Sequence, residues 1–339
     1  MRAPLLRSEV PLAPSTTFGI GGPARLFADV STAEELRDAV LWAERNELPY
    51  TVLGRGSNVL VGDDGFDGLA IRNARSGRFE LLPGGRLRAE SGVGIDRLIA
   101  TTVGRGLSGL EHFAGIPSTL GGALWQNLHF LAPDRSGLVY AGDLVESASV
   151  LVDGTVERVG RDWFGFGYDE SRLRAGGAVL LEATLRLAAA DPAVLRAVVL
   201  EDLIWRAERH PPAAASRSAG CVFRNPPGAS AARAIEAAGL KGLQVGGAVV
   251  SIRHANFVLN AGGATASDVR ALIDLVVERV ARHSGLLLEP ELAFVDDPVP
   301  QAGRWPRASR GRRPPASPKP RYVWLGGSSA SPAAERAST

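Results

Sequence analysis

The alternation of apolar and polar positions changes period several times along the chain, and each change marks an element. Over residues 31–48, Leu36, Ala39, Val40 and Ala43 share one face at helical spacing. Ser31 and Thr32 stand as N-cap candidates with Glu34 and Glu35 three positions on. Pro49 ends that run, and short β-like runs follow at Tyr50–Leu53 and Val59–Val61 around the loop GRGSN. Leu69–Ile71 comes after the turn residues Gly65–Gly68. An α-then-β order is thus predicted for a first lobe. Between Phe79 and Leu187, β-like runs at Leu87–Glu90, Ser147–Val152 and Val179–Leu187 surround a helical segment near Ile95–Gly104 and a glycine-rich stretch at 115–123. Two amphipathic helices follow. Pro192–Arg209 has apolar positions at 195, 198, 199 and 203 and is stopped by His210-Pro211-Pro212; Ser267–His283 carries Val269, Leu272, Ile273, Val276 and Val280. The pattern predicts an α+β protein, divided into lobes at 10–75 and 76–190, a third domain at 191–297, and a tail at 298–339.

Composition refines this picture. With 339 residues, 45% of them hydrophobic, the chain can bury more than one core. The N-terminus MRAPLLRSEVPLAPS lacks the apolar run of a secretory signal, and no stretch approaches the roughly 20 apolar residues of a membrane span. A cytoplasmic protein without a membrane partner is expected. The net charge of +2 is uneven: from Gln301 onward, eight Arg or Lys face one acid, so the tail carries +7 and the remainder about −5. Rich in Pro, Ser, Gly and Arg, the tail reads as a disordered, solvated extension. Its Arg residues interleaved with Trp305, Tyr322 and Trp324 give a competing nucleic-acid reading, which predicts salt-dependent affinity lost on deleting 301–339. Nucleic acid is not the expected partner. Cys221 is the single cysteine, which excludes an intrachain disulfide and a cysteine metal cluster; no metal site is expected.

Candidate chemistry begins with two loops. GRGSN (Gly54, Arg55, Gly56, Ser57, Asn58) is not a dinucleotide fingerprint, because Val59 occupies the third glycine position and a strand, not a helix, follows. It offers successive backbone N–H groups and missing Cβ atoms, the makings of an anion-binding concavity, though a plain turn between strands reads equally well. A second loop, from Gly115 to Ala123, repeats the small-residue pattern. Together they favour a bound dinucleotide over either loop alone.

Seven blocks, TTFGIGGPA (16–24), LGRGSNVLVGDDGFDGLAI (53–71), GLSGLEHFAGIPSTLGGALWQN (106–127), FGYDES (166–171), SAGCVFRNP (218–226), AAGLKGLQVGGAVVSIRHANFVLN (237–260) and LLLEPEL (286–292), stand in an order and spacing that resemble the UDP-N-acetylenolpyruvoylglucosamine reductases over residues 10–297. The resemblance implies an FAD-binding domain of the vanillyl-alcohol-oxidase (PCMH) type in two lobes, followed by a C-terminal α+β substrate-binding domain. It implies FAD and NADPH as cofactors, and UDP-N-acetylglucosamine enolpyruvate as the substrate of a hydride relay that yields UDP-N-acetylmuramate for peptidoglycan. A monomer is expected. By the same resemblance Gly54, Arg55, Gly56, Ser57, Asn58, Gly115, Ile116, Ser118, Thr119, Gly121, Gly122 and Asn127 contact FAD. Tyr168, Asn225, Lys241 and His254 contact substrate, Cys221 is the proton donor, and Glu291 helps polarise the intermediate. A thiol suits the donor role because its reference pKa, roughly 8.5, leaves it protonated at neutral pH.

The sequence departs from the family at three places. Where the family pattern reads Gly-Tyr-Arg-x-Ser, this chain has Asp169, a carboxylate that repels the negative charge an arginine would stabilise. Arg172 or Arg174 is the expected substitute cation, with Asp169 kept as the aligned catalytic position. After Asn127, the bulkier Leu128-His129-Phe130-Leu131 replaces a small-residue run, and Ser118 replaces a glycine, which a negative φ would tolerate. His112 and His129 are expected to be polar surface residues. An impaired flavin- or UDP-sugar-binding paralogue is the alternative these departures leave open, and an oxygen-reactive flavin oxidase a further one.

Overall fold

The computed structural model describes residues 3–295 apart from 76, 133 and 213–215; the tail at 298–339 lies outside the described residues. Helices and strands alternate as an α+β arrangement. The helix predicted over 31–48 spans Ala33–Arg45, with Thr32 accepting from the Glu35 N–H and the Glu35 carboxylate reaching back to the Ser31 N–H. Two strands precede it, Leu6–Pro11 and Pro23–Asp29, so the first lobe is not α-then-β. Leu6–Pro11 is a largely exposed edge strand, and its short, weakly alternating sequence gives little period-2 signal. These strands join Phe66–Arg72 and Tyr50–Leu53 in a four-stranded sheet, in which Pro23–Asp29 and Tyr50–Leu53 both run parallel to Phe66–Arg72.

The second sheet has five strands in the order Thr155–Gly160, Val145–Val152, Ala178–Arg186, Arg86–Glu90, Phe79–Leu82, and every neighbouring pair is antiparallel. The helix Ala33–Arg45 packs Leu36, Ala39, Val40 and Ala43 onto Leu69 and Ile71 of the first sheet and onto Leu151 and Leu181 of the second. Other buried side chains of the second sheet face the helices Ile95–Gly104 and Leu120–Gln126 and the helix Pro192–Arg209 through Leu195. Leu120–Gln126 begins inside the stretch read as a glycine loop. Gly121 and Gly122 weigh against a helix by propensity, but Thr119 caps it by accepting from the Gly122 N–H.

Beyond residue 217, a small three-stranded sheet, Gln244–Val245, Ala248–Val250 and Val258–Asn260, packs with the helices Ala231–Ala237 and Ala266–Ser284. The long helix buries all five of its predicted apolar positions. Each such burial contributes about 1.5–3 kcal/mol, more than the propensity differences among the residues involved, so packing decides this helix. Its N-terminus is fixed twice: by a Thr265/Asp268 capping box, and by Asp63 of the first lobe, which accepts from the Ala266 and Ser267 N–H groups. The chain then returns to the first lobe, where Ala293–Val295 pairs in parallel with Val59–Val61.

Candidate active site

Between these packed units lies a cleft of about 1630 Å³. Small-ligand sites typically fall at roughly 300–1,000 Å³, so this one has room for a dinucleotide and a second large ligand. One wall is main chain. The Gly54–Asn58 loop and residues 115–119 with Gly121 and Gly122 line it. Gly56 has φ +61°, and a Cβ there would lie 2.2 Å from the Ser15 carbonyl oxygen, so the residue must be glycine. Its carbonyl accepts from the Thr17 N–H (3.0 Å), which turns the Ser57 N–H the opposite way across the trans peptide. Glycine at 54 and 56 thus admits the protein's own chain: a Cβ on Gly54 would meet Thr119 Oγ1 at 2.6 Å. Of the two readings the sequence allows for these glycines, close packing of the chain on itself accounts for the missing Cβ atoms at 54 and 56. Ser118 lies outside the positive-φ region, as its substitution for glycine requires.

The other wall is made of side chains, brought together by three strand-like segments. Residues 221–223 run beside 256–257, with Val222 N–H donating to the Asn256 carbonyl, and beside 289–291, with Glu291 N–H donating to the Val222 carbonyl at 2.7 Å. That pairing sets Cys221 and Glu291 side by side although seventy positions separate them in the chain. Asn256 clamps the middle segment by bonding both the N–H and the carbonyl of Phe223. Burial pushes the Cys221 thiol well up, the Glu291 and Asp169 carboxylates add to this, and Arg206 opposes it; the group keeps its proton at neutral pH. Burial and the neighbouring Asp169 push Glu291 up to about 8 against the pull of Gln126, Arg174 and Arg224.

Beneath Glu291 lies a polar cluster. Gln126 Nε2 donates to Asp169 Oδ1 (3.2 Å) and to Glu291 Oε1, while Gln126 Oε1 accepts from Asn58 Nδ2 (2.8 Å). Asp169 is fully buried, sits at φ +52° in a turn closed between Gly167 and Glu170, and does not line the cleft. Its carboxylate lies 3.5 Å from His129 Nδ1 and 3.9 Å from Arg224 Nε. Arg174 lines the cleft, stacks on Trp125 and donates to the backbone carbonyls of Glu291 (2.7 Å) and Asp169 (3.2 Å). Arg172 instead lies over Trp163, 4.5 Å from the ring centroid, and does not line the cleft. Of the two candidate cations, the fold brings Arg174.

Tyr168, Asn225 and His254 line the cleft with Cys221 and Glu291. Asn225 also caps the helix Ala231–Ala237 through the Ala231 N–H and donates to the Tyr168 hydroxyl, so its turn role and its cleft role coexist. Two residues depart from expectation. Asn127 is buried off the cleft, where its side chain ties Gly142 N–H to the Gly167 carbonyl; a left-handed helix end at φ +56° turns it that way. Lys241 does not line the cleft, and its ammonium pairs with Glu236 at 2.5 Å. His112 and His129 are not surface residues either: both are largely covered and stand beside buried carboxylates.

Sequence reasoning missed Gln126, Arg206, His210 and Arg224. Arg206 has a buried Nε without a hydrogen-bond partner and lies over Phe130 at 4.1 Å. Burial, then Arg206, pushes His210 down to about 3, so its ring is neutral in the cleft. His210 stands edge-on to Trp205 and His254. Gln126 and Arg224 stand inside two of the matched blocks, where a signal for them existed, whereas Arg206 and His210 sit in a segment that reads as an ordinary helix and its stop.

Residues 211–295 match the family described as UDP-N-acetylenolpyruvoylglucosamine reductase, C-terminal domain, and residues 24–160 match the FAD binding domain family. The UDP-N-acetylenolpyruvoylglucosamine reductase of Rubrobacter xylanophilus is 42% identical over 296 residues, covering 87% of this chain and 97% of that protein. The chain belongs to the UDP-N-acetylenolpyruvoylglucosamine reductase family. The reductase of Moorella thermoacetica is 41% identical over 283 residues, covering 83% of this chain and 90% of that protein. The crystal structure of the Thermus caldophilus reductase superposes with a TM-score of 0.70 at 34% identity, over 86% of this chain and 99% of that one. The fold is therefore the FAD-binding domain with the family's C-terminal domain, as the resemblance implied.

Proposed function

We propose that this protein reduces UDP-N-acetylglucosamine enolpyruvate to UDP-N-acetylmuramate with NADPH and FAD, in peptidoglycan precursor synthesis. Family membership supports the reading, and the observation that carries it is the juxtaposition of Cys221 and Glu291 in a cleft walled by the FAD-binding domain. The residues fit FAD: two main-chain loops form a wall along which a pyrophosphate can lie, and Asn58 Oδ1, buried in that wall, lacks a partner and awaits an N–H or O–H donor. Gly54–Asn58, Gly115, Ile116, Ser118, Thr119, Gly121 and Gly122 would hold it. Bound FAD supplies reversible hydride transfer between the nicotinamide and the enolpyruvyl group.

The chain's own residues manage charge and protons. Cys221 keeps a proton on Sγ because its surroundings disfavour the thiolate, and it delivers that proton to the carbon next to the substrate carboxylate. Glu291, protonated at neutral pH, donates a hydrogen bond to the negative charge that develops there. Arg174 holds the substrate carboxylate from the same side, taking the role for which Asp169 has the wrong sign. Tyr168, Asn225 and His254 position the sugar nucleotide. We assign the lobes to 10–75 and 76–190 and the substrate domain to 191–297, a division that the separate sheets support, although cores run across it where Leu151 and Leu181 meet the first lobe, Leu195 the second, and Phe18, Ile20 and Leu60 the third. Among the described residues no helix is long and apolar enough to cross a membrane. A cytoplasmic monomer completes the proposal, and sedimentation of the purified protein tests its oligomeric state.

The test of function is NADPH oxidation by the yellow protein with and without the enolpyruvyl sugar nucleotide. Substrate-dependent oxidation is expected; its absence in a flavin-loaded protein overturns the reading. No observation favours the impaired paralogue.

A further inference from the structure

Asp169 is an acid buried without exposure at a place where the reaction makes negative charge, and its Oδ2 has no hydrogen-bond partner. A fold does not hold a carboxylate in such a place at no cost, since a buried charge is strongly disfavoured unless it is compensated. The geometry shows where the compensation goes. One nitrogen, Gln126 Nε2, gives one hydrogen to Asp169 and the other to Glu291, and it cannot exchange places with Oε1, because Oε1 already accepts from Asn58. A flipped amide would set an oxygen against both carboxyl groups. The two carboxyls therefore share a single amide, and only one of them can be ionised without strong repulsion.

We propose that Asp169 is a positioning residue that acts through the shared Gln126 amide to keep Glu291 in its neutral form, with the proton on Oε2 free to donate into the cleft. Asp169 is the better placed of the two to carry the charge. It faces Arg224 at 3.9 Å, His129 at 3.5 Å and the Tyr140 and Tyr168 rings, and the Arg174 guanidinium binds its backbone. Glu170 adjoins it in the chain and draws off one Arg224 nitrogen. Glu291 meets Gln126, Cys221 and the guanidinium groups of Arg174 and Arg224, and burial weighs on it heavily. His129, pushed below its ordinary value by burial, is neutral and adds a ring rather than a charge. An acid where the reaction calls for a cation thus contributes by fixing the proton of its neighbour.

The inference rests on the reductase reading and is tested on the holoenzyme by the pH dependence of kcat/KM. Activity requires neutral Glu291, so kcat/KM falls as pH rises through the Glu291 transition, and Glu291→Gln, permanently neutral, loses that alkaline limb. Asp169→Asn removes the repelling charge, and the limb moves to lower pH by about one unit or more, a tenfold or greater change in proton affinity. A limb that stays put or rises in Asp169→Asn overturns the proposal; should that variant not fold, a limb that stays put or rises in Asp169→Ser does so. A limb retained in Glu291→Gln also overturns it, because the transition then belongs to another group. Failure of the reductase reading looks different: no substrate-dependent NADPH oxidation at any pH.

Discussion

The two walls of the cleft are built on opposite principles. The wall of residues 54–58 and 115–122 works through main chain, its shape set by glycines that let the protein pack against itself at Ser15 and Thr119. The facing wall works through side chains drawn from residues 126, 174, 221 and 291, backed by Asp169 and Arg224 beneath it, with Cys221 and Glu291 held by the pairing of three short segments. A substitution in the first wall moves backbone and so changes binding and stability together. In the second, a substitution removes one donor or one charge and leaves the frame standing.

The sharpest test of that contrast is Cys221→Ala. Loss of a general acid typically costs 10²–10⁴-fold, so kcat is expected to fall by about that factor with flavin content and melting temperature unchanged. A parallel loss of flavin would show that the side-chain wall also carries the frame. Gly56→Ala comes next: strain at φ +61° and a clash with the Ser15 carbonyl predict about 2–4 kcal/mol of lost stability, read by denaturant titration, together with weaker FAD retention. Arg174→Ala is expected to lower kcat/KM by about 10- to 100-fold, on the scale of one charge-assisted hydrogen bond, while Arg172→Ala leaves it unchanged. The smallest effect falls outside both walls. Lys241→Ala breaks a surface ion pair worth less than about 1 kcal/mol, and steady-state kinetics should barely register it.

The same contrast explains how much was legible in the sequence. Long apolar periodicities fix their helices almost to the residue, as at Ile95–Gly104 and Ala266–Ser284, because burial decides them and the 3.6 period reports burial. Pro192–Arg209 buries only Leu195 of its predicted apolar positions and leaves Leu203 exposed, its ends being set instead by the Asp191 cap and by His210-Pro211-Pro212. The edge strand Leu6–Pro11 and the capped helix at Leu120 escaped, since one has little to bury and the other runs through two glycines that propensity disfavours. The glycine loops were visible as chemistry with two readings open, and only the fold shows that Ser15 and Thr119 fill the space a Cβ would take at Gly56 and Gly54. Cys221 and Glu291 were recognisable by motif. The roles of Gln126, Arg206 and Arg224 were not, although Gln126 and Arg224 stand within matched blocks, for their meaning lies in which segments the fold lays beside them. The oddity of Asp169 and that of Leu128–Leu131 looked independent along the chain and meet in space, His129 against Asp169.

The strand Ala293–Val295 pairs with Val59–Val61 immediately after Glu291, joining the end of the described chain to its first lobe. During synthesis, the ribosome makes nearly the whole fold before it makes the residues that place the glutamate. Pairing across so long a separation is slow, because the loop must close before any contact rewards it. A chain that ends before Glu291 lacks both the glutamate and the lining residues Ala293, Phe294 and Val295, so one short stretch made late in synthesis both closes the fold and completes the cleft.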